Sequence, residues 1–464
     1  MSDVCIALLA LALLILAAYR GYSVIVFAPA AAMLAVLLTD PGAVAPVFSG
    51  VFMERLAGFL KLYLPVFLLG ALFGKLIELA GFSSALVSSV MRLMGAKRAM
   101  PAIVLVCAVL TYGGVSLFVV VFAAYPFAAE MFRRADIPKR LIPGTIALGA
   151  FTFTMDALPG TPQIQNIIPT TFFGTTAWAA PILGLVGGAF ILVTGLLYLD
   201  WARRRALARQ EGYGTGHSNE PIQLKQEPSV SPVLALLPLL VVGLSNFALA
   251  RALPTLLPPT VVTTLPGLEQ PLTMKLSGVS AVWAVEGALL LGILCVTVLA
   301  FSRIREAFVE QSKVAVSGAL LASLNTASEY GFGAVIAALP GFAVIRQSLE
   351  TIPNPLVNEA VVITALAGVT GSASGGLSIA LAAMSGSFMQ AAEAAGISPE
   401  VLHRVAAMAS GGMDTLPHNG AVITLFAVTG LTHRQSYRDI FALTCIKTAA
   451  VPVVIATYYL TGLI

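Results

Sequence analysis

The segment Met155-Asp156-Ala157-Leu158-Pro159 recurs in the second half of the chain as Met413-Asp414-Thr415-Leu416-Pro417. Each copy places a carboxylate and a helix-breaking proline inside a long apolar stretch. A charge is unfavourable in such a stretch, and proline removes a backbone hydrogen bond from a helix. Two interruptions of the same kind therefore predict a purpose other than packing.

The composition excludes a water-soluble globular domain. Of the 464 residues, 58% are hydrophobic and 10% are charged, whereas soluble domains carry about 25% charged residues. The mean hydropathy is +0.92, and apolar runs of the ~20 residues that cross a bilayer occur from end to end. Because no lysine or arginine precedes the run from Val4 to Ala18, we expect this segment to be retained rather than cleaved as a signal peptide. The sequence predicts an all-α polytopic membrane protein with no nucleic-acid partner.

The cysteines do not form a recognisable site. Each stands alone in an apolar run, without the spacing of a metal-binding motif. They are Cys5, Cys107, Cys295 and Cys445. We expect no disulfide, no metal site and no cofactor, and we expect these four residues to lie in the core.

Basic residues flank the apolar stretch 101–131 at both ends. They are Arg92, Lys97, Arg98, Arg133, Arg134, Lys139 and Arg140. The positive-inside rule places both ends in the cytoplasm, and one helix of this length would span roughly 46 Å, too much for a single crossing. The stretch is therefore predicted to be a re-entrant hairpin with its tip at Thr111 to Ser116, where Gly113 and Gly114 permit a turn.

The same assignment carried along the chain predicts about ten transmembrane helices with both termini outside. Most of the 26 lysines and arginines then lie in the cytoplasm, and Lys75 and Lys447 alone fall within spans. No arginine is expected in the core, and Arg404 is assigned to the outer side. The stretch 357–390 becomes a second hairpin, entered from outside, with its tip at 372–378.

The two halves carry their motifs in the same order. Gly113-Gly114-Val115-Ser116 corresponds to Gly375-Gly376-Leu377-Ser378, and the two Met-Asp-x-Leu-Pro segments follow at nearly constant spacing. Opposite starting orientations predict two inverted-topology repeats, an architecture of secondary transporters. The first repeat is 1–200, with hairpin 101–131 and broken helix 141–173. A cytoplasmic linker, 201–230, connects it to the second repeat, 231–464, with hairpin 357–390 and broken helix 404–431.

The hairpin tips and helix breaks are the predicted substrate site. Broken helices expose backbone amides that bind carboxylates, and without a core arginine an anion would be held by amides, hydroxyls and carboxamides. The alternative for each polar side chain is packing between helices. The candidates are Gly113, Gly114, Ser116, Thr161, Gln163, Asn166, Ser374, Gly375, Gly376, Ser378, Thr415 and Asn419.

The predicted coupling-ion site uses the titratable residues at membrane depth. Glu329 is the first choice for the coupling proton, because a carboxyl group at this depth is a natural proton carrier. The other candidates are Asn325, Asp156, Asp414 and His418. The two aspartates could instead cap half-helices. Separately, Lys75 and Glu78 are predicted to form a local ion pair.

Three features resemble the GntP-type permeases, the gluconate:proton symporter family of the ion transporter superfamily. They are Asn325-Thr326-Ala327-Ser328-Glu329 with Gly331-Phe332-Gly333, the Gly113-Gly114 tip, and the two Met-Asp-x-Leu-Pro breaks. The resemblance implies cation-coupled uptake, with the proton as the coupling ion, of a small carboxylate such as 3-hydroxybutyrate, glycerate or gluconate across a bacterial inner membrane. It also implies a homodimer, with 3–39 and 231–300 at the interface.

Departures from this family leave alternatives open. Residues 414–419 differ from the Asn-Asp-Pro-Gly pattern of gluconate permeases, which disfavours gluconate itself, and superfamily relatives that use sodium keep sodium coupling open. A passive anion channel is a weaker alternative. An intramembrane aspartyl hydrolase using Asp156 and Asp414 is weaker still, because the Gly-x-Gly-Asp motif is absent, and we do not expect an enzyme.

Overall fold

The computed structural model describes residues 3–20, 22–95, 98–115, 117–217, 219–220, 230–267, 270–350, 352–417 and 419–464. Helices dominate because the apolar runs satisfy their backbone hydrogen bonds internally, as a bilayer requires. The first half contains α1 (Asp3–Tyr19), α2 (Val24–Thr39), α3 (Val44–Val47), α4 (Met53–Leu79), α5 (Phe82–Met94), α6 (Ala99–Tyr112), α7 (Leu117–Arg134), α8 (Leu141–Ala150), α9 (Phe153–Asp156), α10 (Ile164–Phe173) and α11 (Pro181–Ala208).

The second half repeats this order of elements. It contains α12 (Pro232–Leu256), α13 (Ser280–Ile304), α14 (Phe308–Ala338), α15 (Pro340–Glu350), α16 (Pro355–Thr370), α17 (Ala373–Ala394), α18 (Pro399–Ser410), α19 (Gly420–Thr429) and α20 (His433–Thr461). In each half a long helix is followed by a short amphipathic helix, a two-helix hairpin, an interrupted helix and a final long helix. The inverted orientation of the halves in a membrane stays a prediction.

Five helical segments in the described residues are long and apolar enough to cross a membrane. They are Pro41–Leu79, Pro181–Ala208, Pro232–Leu256, Ser280–Ile304 and His433–Thr461. Several shorter apolar helices of 10–17 residues accompany them, among them one helix of each hairpin and one segment of each interrupted helix. The prediction of a helical, polytopic membrane protein is confirmed.

One short β-hairpin departs from the all-helical expectation. Strand β1 (Thr260–Thr263) pairs antiparallel with β2 (Leu272–Lys275) in the connection between α12 and α13. The β-branched run Thr-Val-Val-Thr suits an extended strand better than a helix. The cysteine prediction is also partly wrong: Cys107 is buried, but Cys5 and Cys445 are exposed on the faces of α1 and α20 that point away from the protein core.

The two hairpins turn at glycines. The first turns at Gly113 and Gly114, and Gly114 has φ +92°, a conformation that other residues rarely adopt. The second turns at Gly371, with φ +64°, and Ser372 caps α17 by accepting a hydrogen bond from the Gly375 amide at 3.0 Å. The predicted tip at 372–378 is therefore displaced, since most of that segment already belongs to α17.

Helix α14 packs on elements of both halves. It contacts α4 and α2 of the first half and α17 of the second. The crossing with α17 is close because a Cβ at Gly333 would meet the Ile379 backbone at 2.8 Å. This contact brings the polar segment of α14, residues 325–329, against the first turns of α17.

The connector after α11 is attached to the helical body. Helix α11 continues to Ala208, so the predicted linker begins with two helical turns. Beyond it, the buried Lys139 pairs with Glu220, with Nζ and Oε1 2.8 Å apart, and Glu220 accepts hydrogen bonds from the hydroxyl of Tyr213, which is itself buried. The connector is therefore not simply a solvated chain.

Candidate functional site

The first helix break lies between Ala150 and Ile164, and its freed carbonyl groups are capped by side chains from other helices. Lys447 of α20 donates to the carbonyl oxygen of Phe151 at 3.1 Å. Tyr112 donates its hydroxyl to the carbonyl oxygen of Pro159 at 2.9 Å. The two prolines and the glycine that open the helix are thus tolerated because the backbone is satisfied by protein groups.

Arg404 supplies further caps to the same break. Its side chain is fully buried; Nε and Nη2 donate to the carbonyl oxygen of Ala179 at 3.2 and 2.8 Å, and Nη1 donates to that of Asp156 at 3.1 Å. The expectation that the core holds no arginine, with Arg404 on the outer side, is wrong. Helix α18 begins at Pro399 rather than at 404, so Arg404 lies on its second turn and reaches the first break.

Asn166 joins Arg404 and His403 in a closed hydrogen-bond network. Its Oδ1 accepts from Arg404 Nη1 at 3.0 Å and from His403 Nε2 at 3.2 Å. Its Nδ2 donates to the carbonyl oxygens of Thr161 and Ala177 at 2.9 and 2.8 Å. All four hydrogen-bonding positions of the carboxamide are used, so Asn166 is occupied in holding the break together.

The aspartates of the two breaks have different surroundings. Asp414 Oδ1 lies 2.6 Å from Lys447 Nζ, and Lys447 is nearly fully buried. Asp156 is also buried, and its Oδ1 has no hydrogen-bond partner in the described part of the chain. A Cβ at Gly411, directly after α18, would overlap the Asp156 carboxylate. Each break therefore contacts elements of the other.

Each hairpin tip is tied to its break by one carboxamide. Gln163, which precedes α10, donates Nε2 to the carbonyl oxygen of Thr111 at 2.8 Å. Asn419, which precedes α19, donates Nδ2 to the carbonyl oxygen of Gly371 at 2.9 Å. The Oδ1 of Asn419 also caps α19 by accepting from the Val422 amide at 2.9 Å.

Glu329 lies where α14 crosses α17. It is buried, and a Cβ at Gly375 would overlap its carboxylate. Its Oε2 has no hydrogen-bond partner among the residues that the structure describes. Beside it, Thr326 Oγ1 lies 3.3 Å from Ser374 Oγ, which lies 3.5 Å from Ser372 Oγ. The structure thus brings Glu329 and Ser374 to the same crossing.

Other buried polar atoms, on α14, on α17 and around the start of α10, lack partners within the described ranges. They are Thr161 Oγ1, Gln165 Oε1, Ser328 Oγ and Ser378 Oγ. Helix α10 packs on α17, and the rings of Phe172 and Tyr330 join α10 to α14 at 6.1 Å. Because buried polar groups are nearly always hydrogen-bonded, such a set marks a place for a ligand, an ion or water.

Three of the remaining candidates make packing or hydrogen-bonding contacts within the protein. Gly113 packs against Leu239 of α12, and Gly376 packs against Ala367 within the second hairpin. Thr415 Oγ1 lies 2.7 Å from Thr444 Oγ1 of α20. Asn325 is half-buried on α14. Ser116 and His418 lie outside the described residues.

A cavity of 630 Å³ opens beside the first break. Its walls are mostly apolar, with Tyr112, Pro159 and Trp178 on one side and Phe247 and Arg251 of α12 on the other. The Arg251 guanidinium lies 3.9 Å from the centre of the Phe247 ring. Arg251 thus places a positive charge on the wall of this cavity.

Three buried residues escaped the sequence reasoning. Arg404 and His403 could have been found from Ser398-Pro399-Glu400, because serine followed by proline is a helix-start signal. Glu359 of α16 is completely buried, and neither carboxylate oxygen has a partner in the described residues. Its signal was a lone acidic residue at the start of the apolar stretch 357–390.

No group of three or more histidine, cysteine or acidic side chains in the described chain could hold a metal. The predicted Lys75 and Glu78 pair is present, with Nζ and Oε2 2.9 Å apart.

Comparisons with known proteins place the chain among membrane transporters. No protein-family model matches it. Two solved structures share its fold. One is the Alcanivorax borkumensis YdaH transporter, with a TM-score of 0.58 and 15% identity over 92% of this chain and 90% of that one. The other is Neisseria gonorrhoeae MtrF, described as illuminating a class of antimetabolite efflux pumps, with a TM-score of 0.53 and 14% identity over 91% and 85% of the two chains.

A curated relative is much more similar. The uncharacterized transporter YxjC of Bacillus subtilis (strain 168) is 58% identical over 471 residues, covering all of both chains. The resemblance to GntP-type permeases stays a prediction. At this identity and coverage, the chain belongs to the same family of membrane transporters as YxjC.

Proposed function

We propose that the protein is a secondary active transporter that couples proton entry to the uptake of a small carboxylate across a bacterial inner membrane. The observation that carries this proposal is Glu329, a buried carboxyl group at the α14 and α17 crossing with one oxygen unpartnered in the described residues. An isolated carboxylate is unfavourable in such a place, so binding and release of a proton there changes the local energy strongly.

The proposed substrate site consists of the first turns of α17 and the unpartnered hydroxyl groups. The N-terminus of α17 offers the Ser374 backbone amide and a positive helix end to an anion, while the Gly375 amide already donates to the Ser372 cap. Ser378 and Thr161 contribute hydroxyl groups without partners among the described residues. A small hydroxy acid such as 3-hydroxybutyrate, glycerate or gluconate carries the carboxylate and hydroxyl groups that such a set would satisfy.

The cations of the core do not serve as the substrate's main counter-charge in this proposal. Arg404 and Lys447 are engaged by backbone carbonyls and, for Lys447, by Asp414. Arg251 lines the cavity beside the first break, where its positive charge would attract anions toward the site.

The proposed transport cycle moves the hairpins and breaks against the remaining helices. Proton binding at Glu329 removes a charge that would repel an incoming carboxylate. The loaded site then opens to the other side as the hairpins shift, a form of alternating access found in transporters built from broken helices. The scaffold in this proposal includes 3–39 and 231–300, which would also form the interface of a homodimer.

Transport by purified protein in proteoliposomes tests the proposal. We expect accumulation of a labelled hydroxy acid that follows an imposed inward proton gradient and stops when the gradient is collapsed. Uptake that ignores the proton gradient but requires sodium would replace proton coupling with sodium coupling. Flux without accumulation would indicate a passive channel. Proton-driven export instead of uptake would match the direction described for MtrF and overturn the symport.

A further inference from the structure

A second cavity, of 240 Å³, lies between the C-terminal end of α11 and the first turns of α20, far along the chain from the hairpin tips. Its lining residues come from α11, the following connector, Arg140 and α20. None of them takes part in the proposed transport site.

The cavity carries an excess of positive charge, with five arginines against two carboxylates. Both carboxylates are engaged by Arg140, whose Nε lies 2.6 Å from Glu211 Oε1 and whose Nη1 lies 3.2 Å from Asp439 Oδ2. Tyr198 donates a further hydrogen bond to Asp439 Oδ1 at 2.8 Å. Arg140 and Tyr198 therefore supply the hydrogen bonds to the acidic groups, while Arg209 and Arg438 interact with Glu211 and Asp439 only through longer-range electrostatics.

Four arginines remain without an ion pair in the part of the chain that the structure describes. They are Arg205, Arg209, Arg434 and Arg438. Arg205 lies over the ring of Trp201, 5.3 Å from its centre, and Arg434 and Arg438 are exposed one turn apart on α20. Guanidinium groups placed in this way match the oxygens of a phosphate group.

The rim of the cavity includes apolar surface on α11. Trp201 lines the cavity and is 48% exposed, and Leu197, one turn before it on the same face of α11, is 65% exposed. Tryptophan is enriched at the level of lipid headgroups. A free phosphate ion would gain nothing from this rim, whereas a lipid would place its acyl chains against it.

We propose that this cavity binds the phosphate group of an anionic phospholipid in the leaflet that faces the 209–220 connector. Basic pockets between transmembrane helices are established sites of this kind in membrane proteins. The bound headgroup would join α11, α20 and the connector at one membrane surface. Its ligand is distinct from the transported carboxylate, so the inference does not depend on the proposed function.

Lipid retention by the purified full-length protein tests this site. Delipidated protein in detergent would receive phosphatidylglycerol, phosphatidylcholine with the same acyl chains, or inorganic phosphate, and bound lipid and thermal unfolding would be measured. We expect phosphatidylglycerol to be retained and to raise the melting temperature. The double variant Arg434→Gln and Arg438→Gln should weaken this retention at least about tenfold, because each removes charged hydrogen-bond donors.

Arg204→Gln provides the matched control. Arg204 lies near the C-terminal end of α11, next to Arg205, but does not line the cavity. It is paired with Asp200 at 2.7 Å and is 75% exposed, so its loss should leave retention unchanged. Equal retention of both lipids, or equal loss in the control and the double variant, would overturn the proposal. A melting shift produced equally by inorganic phosphate would assign the cavity to a free anion and overturn the lipid assignment.

Discussion

Gln163 and Asn419 hold the same place in the two halves of the molecule. Each directly precedes the second helix of an interrupted span, and each donates its carboxamide to a carbonyl oxygen at the neighbouring hairpin tip, at 2.8 and 2.9 Å. One carboxamide side chain thus attaches each hairpin to its own break. Movement of a hairpin tip relative to its break requires this hydrogen bond to open.

Removing either carboxamide should loosen its own hairpin only. Gln163→Ala and Asn419→Ala each release one buried carbonyl, which costs about 1 kcal/mol, or roughly fivefold in a local opening equilibrium. Asn419→Ala also removes the cap of α19. Hydrogen exchange measured by mass spectrometry should accelerate over 109–115 in the first variant and over 369–375 in the second. Each hairpin serves as the control for the other, and acceleration of both hairpins in each variant would contradict the separate attachments.

A side chain at Gly375 should disable the α14 and α17 crossing. The added Cβ of Gly375→Ala would overlap the Glu329 carboxylate, whereas Gly386→Ala on the same helix meets nothing within 4 Å. We expect proton-driven uptake to fall at least about tenfold in the first variant, equivalent to roughly 1.4 kcal/mol, and to stay near wild type in the second.

Glu329→Gln separates the role of the carboxyl group from that of its shape. The carboxamide fills the same space but cannot exchange a proton, so we expect loss of accumulation driven by a proton gradient. Exchange of labelled for unlabelled substrate across the membrane, which needs no net proton movement, should survive. Accumulation by Glu329→Gln at the wild-type level would remove Glu329 from the coupling site.

The buried ion pair of Lys447 and Asp414 should be strongly coupled energetically. Lys447→Met and Asp414→Asn each leave one buried group without its partner, which typically costs about 3–5 kcal/mol, while the double variant should cost much less than the sum. Thermal unfolding in detergent measures all three. Lys75→Met, which breaks the more exposed pair with Glu78, should cost no more than about 1 kcal/mol. Additive effects at Lys447 and Asp414 would argue that the contact contributes little.

Attachment of the connector should depend on pH. The hydrogen bond from Arg140 lowers the pKa of Glu211. Burial raises the pKa of Glu220, but hydrogen bonds from Lys139 and Arg133 bring it below its ordinary value. A lowered folded-state pKa means that the stabilisation is complete above the unfolded glutamate value of about 4.3 and is lost as pH falls through the folded-state values.

Limited proteolysis measures this dependence with an acid-active protease. We expect cleavage within 209–220 to be slow at neutral pH and to accelerate below about pH 4.3. Glu211→Gln should already be cleaved faster at neutral pH, because the amide cannot replace the ion pair with Arg140. A cleavage rate independent of pH in the wild-type protein would contradict the attachment.

Much of the architecture was readable from the sequence because membrane insertion constrains it severely. Apolar runs had to become helices. The paired glycines Gly113 and Gly114 indicated a turn, and Gly114 has a φ angle that suits glycine. The prolines after Asp156 and Asp414 had to interrupt their helices. Glu329 was selected because a carboxyl group is costly at membrane depth and because its polar segment, 325–333, has no counterpart in the first half.

The tertiary structure decided which polar groups are occupied and which are left without partners. Asn166 looked like a ligand for substrate, but its four hydrogen-bonding positions are taken by Arg404, His403 and two carbonyl groups. Arg404 looked external because its helix was predicted to begin at 404, whereas α18 begins at Pro399. Sequence determines where the backbone must break, since local chemistry sets that cost. Only the fold determines which distant side chain satisfies the break, because partners such as Arg404 and Lys447 lie more than two hundred residues away.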